Sequence, residues 1–244
     1  MHTPPRTHRP TILCLHGGGT SGEIFDCQSI RIQRALQNHF NFLFVNGPFA
    51  SPPGPGVLPV FADCAPYYAW ESSGTKQGDT LPDETIILLT ETFQTCAAAG
   101  DDIVGVMGFS QGARVATGLL SWRGHEYFSS LRFGIMLNGS YPAMLPSLLV
   151  GSCPLDKISN PTLHIHGLLD QFLAQSRMLL DRHFSRTHAM LLELRIGHQV
   201  VNKESSITLL SDAVIDMWEA ESESTTMTTD PAGLHADALL CVTS

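Results

Sequence analysis

Six short, continuously apolar runs separated by helical patterns constrain this chain more than any other feature of its sequence. The runs are TILCL, NFLFV, DIVGVMG, LRFGIMLN, PTLHIHG and AMLLELRI. Such runs, without polar alternation, are typical of strands buried on both faces of a parallel sheet. Strands that alternate with helices imply right-handed crossovers. We therefore predict an α/β fold with a doubly wound, mostly parallel sheet and helices on both faces.

Five segments between and after these strands have helical patterns. SIRIQRALQNHF opens on Ser29, a predicted N-cap, and its apolar residues form one stripe. DETIILLTETFQTCAAAG has Asp83 as its predicted cap and ends at Gly100, since glycine tolerates the left-handed conformation that ends a helix. The other three are GARVATGLLSW, AQSRMLLDRHF and ESSITLLSDAVIDMW.

The chain length of 244 residues, with 43% hydrophobic content, is sufficient for one sizeable core. We expect a single domain over residues 10–218, after a flexible N-terminus of residues 1–9. Residues 219–244 are rich in Ser, Thr and Glu and lack Lys and Arg, which predicts a disordered acidic tail. The Pro- and Gly-rich stretch Asn46–Trp70 is too long for a plain connection, and such loops are usually functional or mobile.

Charge and cysteine usage exclude several classes of function. The net charge is −9, and the 14 Lys and Arg residues form no basic run, which argues against nucleic acid or an anionic membrane as a partner. No apolar run approaches a membrane span, and MHTPPRTHRP has no secretory apolar region. The six cysteines lack C-x-x-C spacing and fit reduced thiols. We expect a cytoplasmic protein.

The glycine-rich segment ILCLHGGGTSGEIF fits two incompatible patterns. Gly17, Gly19 and Gly22 match the spacing of a dinucleotide-binding loop, whereas His-Gly-Gly-Gly matches the oxyanion-hole loop of esterases. A dinucleotide site needs an acidic residue after the second strand, but this chain has Asn46. The oxyanion-hole interpretation is therefore favoured.

The sharpest signal is Gly108-Phe109-Ser110-Gln111-Gly112, a G-x-S-x-G nucleophile elbow between a buried strand and a small-residue helix. A serine nucleophile needs a histidine base and an orienting carboxylate, here in the order Ser, Asp, His. Asp170 and His198 each follow a strand end and are predicted to meet Ser110 at one sheet edge. Asp170 could instead be a helix cap. Asp156 and Asp181 are its rivals for the role of orienting carboxylate.

The oxyanion hole is predicted from two backbone N–H groups. Gln111 follows the serine and Gly18 lies in the glycine loop, with Gly19 as an additional candidate. His16 is expected to anchor this loop rather than to act as a base. His164 and His166 share a strand face, but no carboxylate or cysteine cluster completes a metal set, so we predict no metal site. His166 is expected to be buried and hydrogen-bonded.

With these motifs assembled, the chain resembles the fungal serine hydrolases of the FSH family, in particular its polyketide-synthase-associated thioesterases of the LovG type. The resemblance rests on ILCLHGGGTSGEIF, the proline-rich loop ending in PYYAW, GFSQGARVA, HIHGLLD and a late Gly-His, and covers residues 10–218. It implies an α/β-hydrolase fold, no cofactor, and a triad of Ser110, Asp170 and His198. The chain departs from the family pattern at RIGHQVVNKE and FVNGPF.

The resemblance also implies a substrate, an acyl thioester carried by the acyl carrier domain of a polyketide synthase. Tyr67, Tyr68 and Trp70, with the run YPAMLPSLLVG, could form an apolar acyl pocket or could simply pack within the loop. An acidic carrier would need a local basic patch, for which the candidates are Arg31, Arg34, Arg114 and Arg123. The alternatives are a general short-acyl carboxylesterase and a non-catalytic scaffold that binds a ligand or partner.

Overall fold

A six-stranded parallel sheet forms the centre of the molecule. The structure, a computed structural model, describes residues 9–72, 78–122, 124–150 and 156–228. The strands among these residues, which include two outside the central sheet, are β1 (Thr11–Leu15), β2 (Asn41–Val45), β3 (Phe49–Ser51), β4 (Tyr67–Ala69), β5 (Ile103–Phe109), β6 (Phe133–Leu137), β7 (Thr162–Gly167) and β8 (Ala189–Leu194). The central sheet has the order β2-β1-β5-β6-β7-β8, and every pair in it is parallel.

Helices cover both faces of this sheet. They are α1 (Gly22–Leu36), α2 (Asp83–Ala99), α3 (Gln111–Ser121), α4 (Leu173–His183) and α5 (Glu204–Thr228). Side chains of α2, α3 and α4 pack into one apolar cluster, and those of α1 and α5 pack into a second cluster on the opposite face. The predicted doubly wound α/β architecture is confirmed. The apolar residues of the strands pack against the helices on both faces of the sheet.

Helix α1 begins earlier than its sequence pattern predicted. Its N-cap is Ser21, whose hydroxyl accepts a hydrogen bond from the Ile24 N–H at 3.2 Å. Ser29, the predicted cap, lies inside the helix and donates its hydroxyl to the Phe25 carbonyl at 2.7 Å. A serine satisfied by the preceding turn is compatible with a helix interior, and for this reason Ser29 was a misleading start signal.

The predicted C-terminal end of α2 is confirmed, and the predicted N-cap is wrong. Gly100 has φ +78° and caps the C-terminus, as predicted. Asp83 is the first helical residue rather than the cap, and Pro82 holds the cap position without a side-chain hydrogen bond. Proline supplies a fixed φ that suits the entry into a helix.

The prediction of a disordered tail from residue 219 is wrong for its first part, because α5 continues to Thr228. The segment EAESESTTMT contains neither glycine nor proline, so nothing in it breaks a helix already begun. Residues 229–244 lie outside the described residues. The same holds for the predicted flexible N-terminus except for Arg9, whose Nη1 donates to the Gln37 carbonyl.

The long stretch Asn46–Trp70 contains a two-stranded antiparallel sheet that the sequence pattern did not predict. Strands β3 and β4 pair with Phe49 opposite Ala69. The hairpin delivers Trp70 into the core, where this side chain is fully buried. The hairpin lies next to the glycine loop, where the Gly19 N–H donates to the Tyr68 carbonyl. The end of β4 therefore lies at the same edge of the sheet as the glycine loop.

Candidate active site

Ser110 occupies a strained turn between β5 and α3. Its φ of +52° is rare for a residue with a side chain and is typical of a functional constraint. The turn is so tight that it leaves no room for side chains at the two glycines. A Cβ at Gly108 would lie 2.5 Å from the Gly112 carbonyl oxygen, and one at Gly112 would overlap the Leu15 carbonyl. The two flanking glycines are therefore sterically required, as the elbow motif predicts.

The Ser110 hydroxyl is the first member of a continuous hydrogen-bonded chain. Its Oγ lies 2.9 Å from Nε2 of His198, and Nδ1 of His198 lies 2.7 Å from Oδ2 of Asp170. These contacts fit an imidazole that carries its proton on Nδ1 and accepts from the serine at Nε2. The three residues that the sequence placed at separate strand ends thus come together at one edge of the sheet.

The Asp170 carboxylate is held by two contacts, and its side chain is fully buried. Oδ2 faces His198, and Oδ1 accepts the Phe172 N–H at 2.7 Å in the turn that leads into α4. The helix-cap and triad interpretations are therefore compatible, since each oxygen serves one of them. The rival Asp181 pairs instead with Arg186, and Asp156 is exposed.

Aromatic rings hold the His198 imidazole from two sides. The Phe109 ring centroid lies 5.1 Å from the imidazole centroid, and that of Phe172 lies 4.9 Å away in an edge-on arrangement. These contacts restrict ring rotation and leave Nε2 directed at Ser110.

Asn138 is a site residue that the sequence did not single out. It is fully buried at the carboxyl end of β6, with φ +45°. Its Oδ1 accepts the Gly167 N–H at 2.7 Å, and its Nδ2 donates to the Gln199 carbonyl at 2.9 Å. One side chain therefore joins the end of the aspartate strand to the histidine loop. The signal in the sequence was an asparagine directly after a buried strand.

The glycine loop lies beside the serine. A Cβ at Gly17 would be 3.5 Å from the Ser110 Cβ, and Gly17, Gly18 and Gln111 all line the same cavity as Ser110. As the first residue of α3, Gln111 has a backbone N–H without an acceptor in its own helix. The Gly19 N–H donates to the Tyr68 carbonyl at 2.8 Å, so Gly19 is not an additional oxyanion donor.

His16 anchors this loop, as the sequence predicted. Its Nε2 accepts the Gly47 N–H at 2.9 Å, and its Nδ1 lies 2.7 Å from the Gly17 carbonyl. Because the Gly47 N–H can only donate, the imidazole proton must be on Nδ1. Burial lowers the pKa of His16 to about 4, so the ring is neutral at physiological pH.

The cavity above Ser110 has a volume of about 260 Å³. Its walls include Pro55, Phe109 and Phe172 on the apolar side and Glu71, Gln111 and Arg114 on the polar side.

The structure does not place Tyr67, Tyr68 or Trp70 on this cavity. Tyr67 and Trp70 are buried, and Trp70 donates its Nε1–H to the His16 carbonyl at 2.8 Å. Tyr67 and Trp70 therefore pack the loop against the sheet, and the half-buried Tyr68 lies outside the lining of this cavity. Met144 and Leu145, from the run YPAMLPSLLVG, are likewise buried in the core.

Arg114 also has a role that differs from the expectation. It was a candidate for a basic surface patch, but its side chain is 1% exposed and its Nη1 lies 2.7 Å from Oε1 of Glu71. Burial lowers the pKa of the Arg114 guanidinium, and the adjacent Glu71 carboxylate opposes that shift. Arg31 and Arg34 are exposed on α1, and Arg123 lies outside the described residues.

His164 and His166 are buried neighbours on β7 that face the α4 side of the sheet. Within the described part of the chain, neither Nδ1 atom has a hydrogen-bond partner, which corrects the expectation for His166. Burial lowers the pKa of His164 to about 3 and that of His166 to about 4. Both rings are therefore neutral well below physiological pH.

Among the described residues, no group of three or more His, Cys, Asp or Glu side chains is placed to hold a metal ion. No helix among the same residues combines the length and hydropathy required to cross a membrane.

The sequence from residue 6 to residue 208 matches the family described as serine hydrolase (FSH1). The chain belongs to this family. A relative of this FSH1-family protein is thioesterase FSL2 of Gibberella zeae, which is 33% identical over 233 residues that cover 86% of this chain and 93% of that protein. Another is the dihydromonacolin L-[lovastatin nonaketide synthase] thioesterase of Aspergillus terreus, 32% identical over 80% of this chain and 87% of that protein.

The solved structures agree with the α/β-hydrolase fold. The crystal structure of the Bacillus cereus carboxylesterase superposes on the FSH1-family chain with a TM-score of 0.56, covering 88% of this chain and 92% of that one at 16% identity. The protein is thus a serine hydrolase that acts on esters or thioesters.

Proposed function

We propose that the enzyme cleaves a thioester through an acyl-enzyme formed on Ser110, with His198 as the base and Asp170 as its orienting carboxylate. The observation that carries this proposal is the continuous chain from Ser110 Oγ through both nitrogens of His198 to Asp170, with distances of 2.9 and 2.7 Å. Because the serine already contacts the imidazole acceptor, it can lose its proton as it attacks a carbonyl.

The reaction has two halves. In the first, Ser110 Oγ bonds to the thioester carbonyl carbon while His198 takes the hydroxyl proton, and collapse of the tetrahedral adduct expels the thiolate, which receives that proton. In the second, His198 takes a proton from water, the hydroxide attacks the acyl-serine, and the proton returns to Ser110 as the acid departs. Asp170 stabilises the imidazolium in both halves.

The oxyanion of each tetrahedral adduct is assigned to the backbone N–H groups of Gly18 and Gln111. Both residues line the cavity with Ser110, and Gln111 presents the free N-terminal end of α3. A preorganised donor of this kind contributes about 10²–10³-fold to the rate. The loop approaches α3 closely at Gly18, where a Cβ would lie 2.9 Å from the Gln111 side-chain oxygen.

For the substrate, we propose a polyketide acyl chain released in the cytoplasm from the acyl carrier domain of a polyketide synthase. The support is a relative named as a thioesterase of the lovastatin nonaketide synthase and a second relative named as a thioesterase. We assign the cavity of about 260 Å³ to the part of the acyl chain next to the carbonyl.

A second candidate is a general short-acyl carboxylesterase, which would use the same residues. The small cavity favours it, since small-molecule sites typically have about 300–1,000 Å³. Turnover of a long-chain acyl thioester and its matched oxygen ester separates the two. A thioester preference supports acyl-chain release, whereas a strong oxygen-ester preference contradicts it.

A fluorophosphonate probe tests the nucleophile and both enzyme hypotheses together. We expect labelling of the wild type and none in Ser110→Ala. Ser129→Ala, an exposed serine in a short turn, is the matched control and should label normally. Absence of labelling in folded wild type would instead favour a non-catalytic scaffold.

A further inference from the structure

The polar wall of the cavity is a hydrogen-bonded network that the proposed mechanism leaves unused. It joins the side chains of Glu71, Gln111 and Arg114. Gln111 lies 40 positions after Glu71 and Arg114 lies 43 positions after it, so the fold brings them together. The mechanism employs the backbone of Gln111, while its side chain points into this network.

The Gln111 amide has one orientation. Its Oε1 accepts the Trp70 backbone N–H at 3.0 Å, and its Nε2 donates to Glu71 Oε1 at 2.9 Å. A backbone N–H can only donate and an ionised carboxylate can only accept, so both contacts specify the same orientation of the amide. Rotating it by 180° would place donor against donor and acceptor against acceptor.

Arg114 fixes the carboxylate in turn. Its Nη1 donates to the same Oε1 of Glu71 at 2.7 Å, while Nε donates to the Pro142 carbonyl and Nη2 to the Gly78 carbonyl. The other carboxylate oxygen accepts the Gly78 N–H at 3.2 Å. The guanidinium therefore contacts Glu71, Gly78 and Pro142, and these contacts restrict the movement of the carboxylate.

The side chain that this network fixes lies against the glycine loop. A Cβ at Gly18 would be 2.9 Å from Gln111 Oε1 and 3.2 Å from its amide carbon. The Gln111 amide thus lies in contact range of the Gly18 backbone, between the segments that carry the two proposed oxyanion donors. A displaced amide would alter the spacing of those donors, and catalysis is sensitive to such displacements.

We propose that Glu71 is a positioning residue for the oxyanion hole, acting through the Gln111 side chain, with Arg114 neutralising its charge. The neutralisation matters because an unpaired carboxylate beside the hole would oppose the developing negative charge. This inference rests on the proposed function, since it assigns a task to the same site.

The competing explanation is that Glu71 and Arg114 are only a structural ion pair. A purely structural pair would lower stability when broken but would leave the folded enzyme with normal kcat. It would also leave the affinity for a transition-state analogue unchanged. A trifluoromethyl ketone matched to the substrate is a suitable analogue, because it forms a tetrahedral oxyanion on the serine.

The experiment compares Glu71→Ala with Glu71→Gln on an N-acetylcysteamine acyl thioester. In Glu71→Ala we expect kcat to fall about 10–100-fold with KM within about threefold, and ketone affinity to weaken in parallel. Glu71→Gln keeps an acceptor for the Gln111 amide and should recover most of kcat. Glu91→Ala, an exposed glutamate on α2, is the matched control.

Each outcome decides the question. Unchanged kcat and ketone affinity in folded Glu71→Ala would overturn the positioning role while leaving the proposed function intact. Wild type that neither turns over thioester nor reacts with fluorophosphonate would overturn the proposed function itself. If Glu71→Ala does not fold, Gln111→Met replaces it, since it removes the amide but retains volume, and the same loss of kcat and ketone affinity is expected.

Discussion

Replacing Asn138 by glycine removes a side-chain amide that joins the Gly167 end of β7 to the histidine loop. Loss of its Oδ1 leaves the buried Gly167 N–H without its 2.7 Å acceptor, at a cost of about 1–3 kcal/mol. Loss of its Nδ2 frees the carbonyl of the exposed residue Gln199, which costs about 0.5–1.5 kcal/mol. We expect Asn138→Gly to lower the free energy of unfolding by about 1.5–4.5 kcal/mol.

Asn138→Ala separates the backbone contribution from that of the amide. Asn138 has φ +45°, a region that asparagine and glycine tolerate but that costs other residues about 1–2 kcal/mol. The alanine variant should therefore be less stable than the glycine variant by that amount. Urea unfolding of both variants measures the two terms independently.

The effect on activity is a separate expectation. Without the Asn138 bridge, the loop that carries His198 loses one of its attachments to the end of β7, and a displacement of about 1 Å can cost about 10²-fold in rate. We expect kcat of Asn138→Gly to fall by that order. Asn160→Gly is the control, because it removes a 2.9 Å amide contact to Leu131 at the opposite end of the strands. A folded Asn138→Gly with wild-type kcat would refute the reasoning.

Three further expectations concern stability. Gly112→Ala should prevent folding or strongly lower Tm in a thermal melt, because its Cβ would overlap the Leu15 carbonyl. Trp70→Phe should lower urea stability by about 1–3 kcal/mol, since it strands the His16 carbonyl that now accepts at 2.8 Å. His164 has a folded pKa of about 3, so below pH 6.5 the unfolded chain takes up a proton that the folded one does not. Stability is therefore lost as pH falls, by about 2 kcal/mol at pH 5, and His164→Leu should remove this portion in urea melts at pH 7 and 5.

The main sheet was predictable because apolar residues dominate most of its strands. The runs TILCL and NFLFV coincide with Thr11–Leu15 and Asn41–Val45, and the others differ from the observed strands only at their ends. Parallel strands place their carboxyl ends at one edge, so the convergence of Ser110, Asp170 and His198 followed from the order of elements.

The parts that escaped prediction depend on contacts rather than on periodicity. Strands β3 and β4 have three residues each, which is too short for an alternating pattern to appear. The aromatics of PYYAW were compatible with a pocket or with packing, and for Tyr67 and Trp70 only their burial decides for packing. Arg114 and Glu71 meet across 43 positions, so no local sequence pattern pairs them.

Strands that are distant along the chain bring together the three residues of the proposed triad, and this has a consequence for folding. Ser110 and His198 are separated by 88 positions, and Asp170 and His198 by 28. Loops of that length close late, because their entropy must be lost before the contacts are gained. During refolding, helical circular dichroism should therefore return before fluorophosphonate reactivity. Reactivity would then report completion of the whole sheet, from β5 to β8, rather than the formation of any single element.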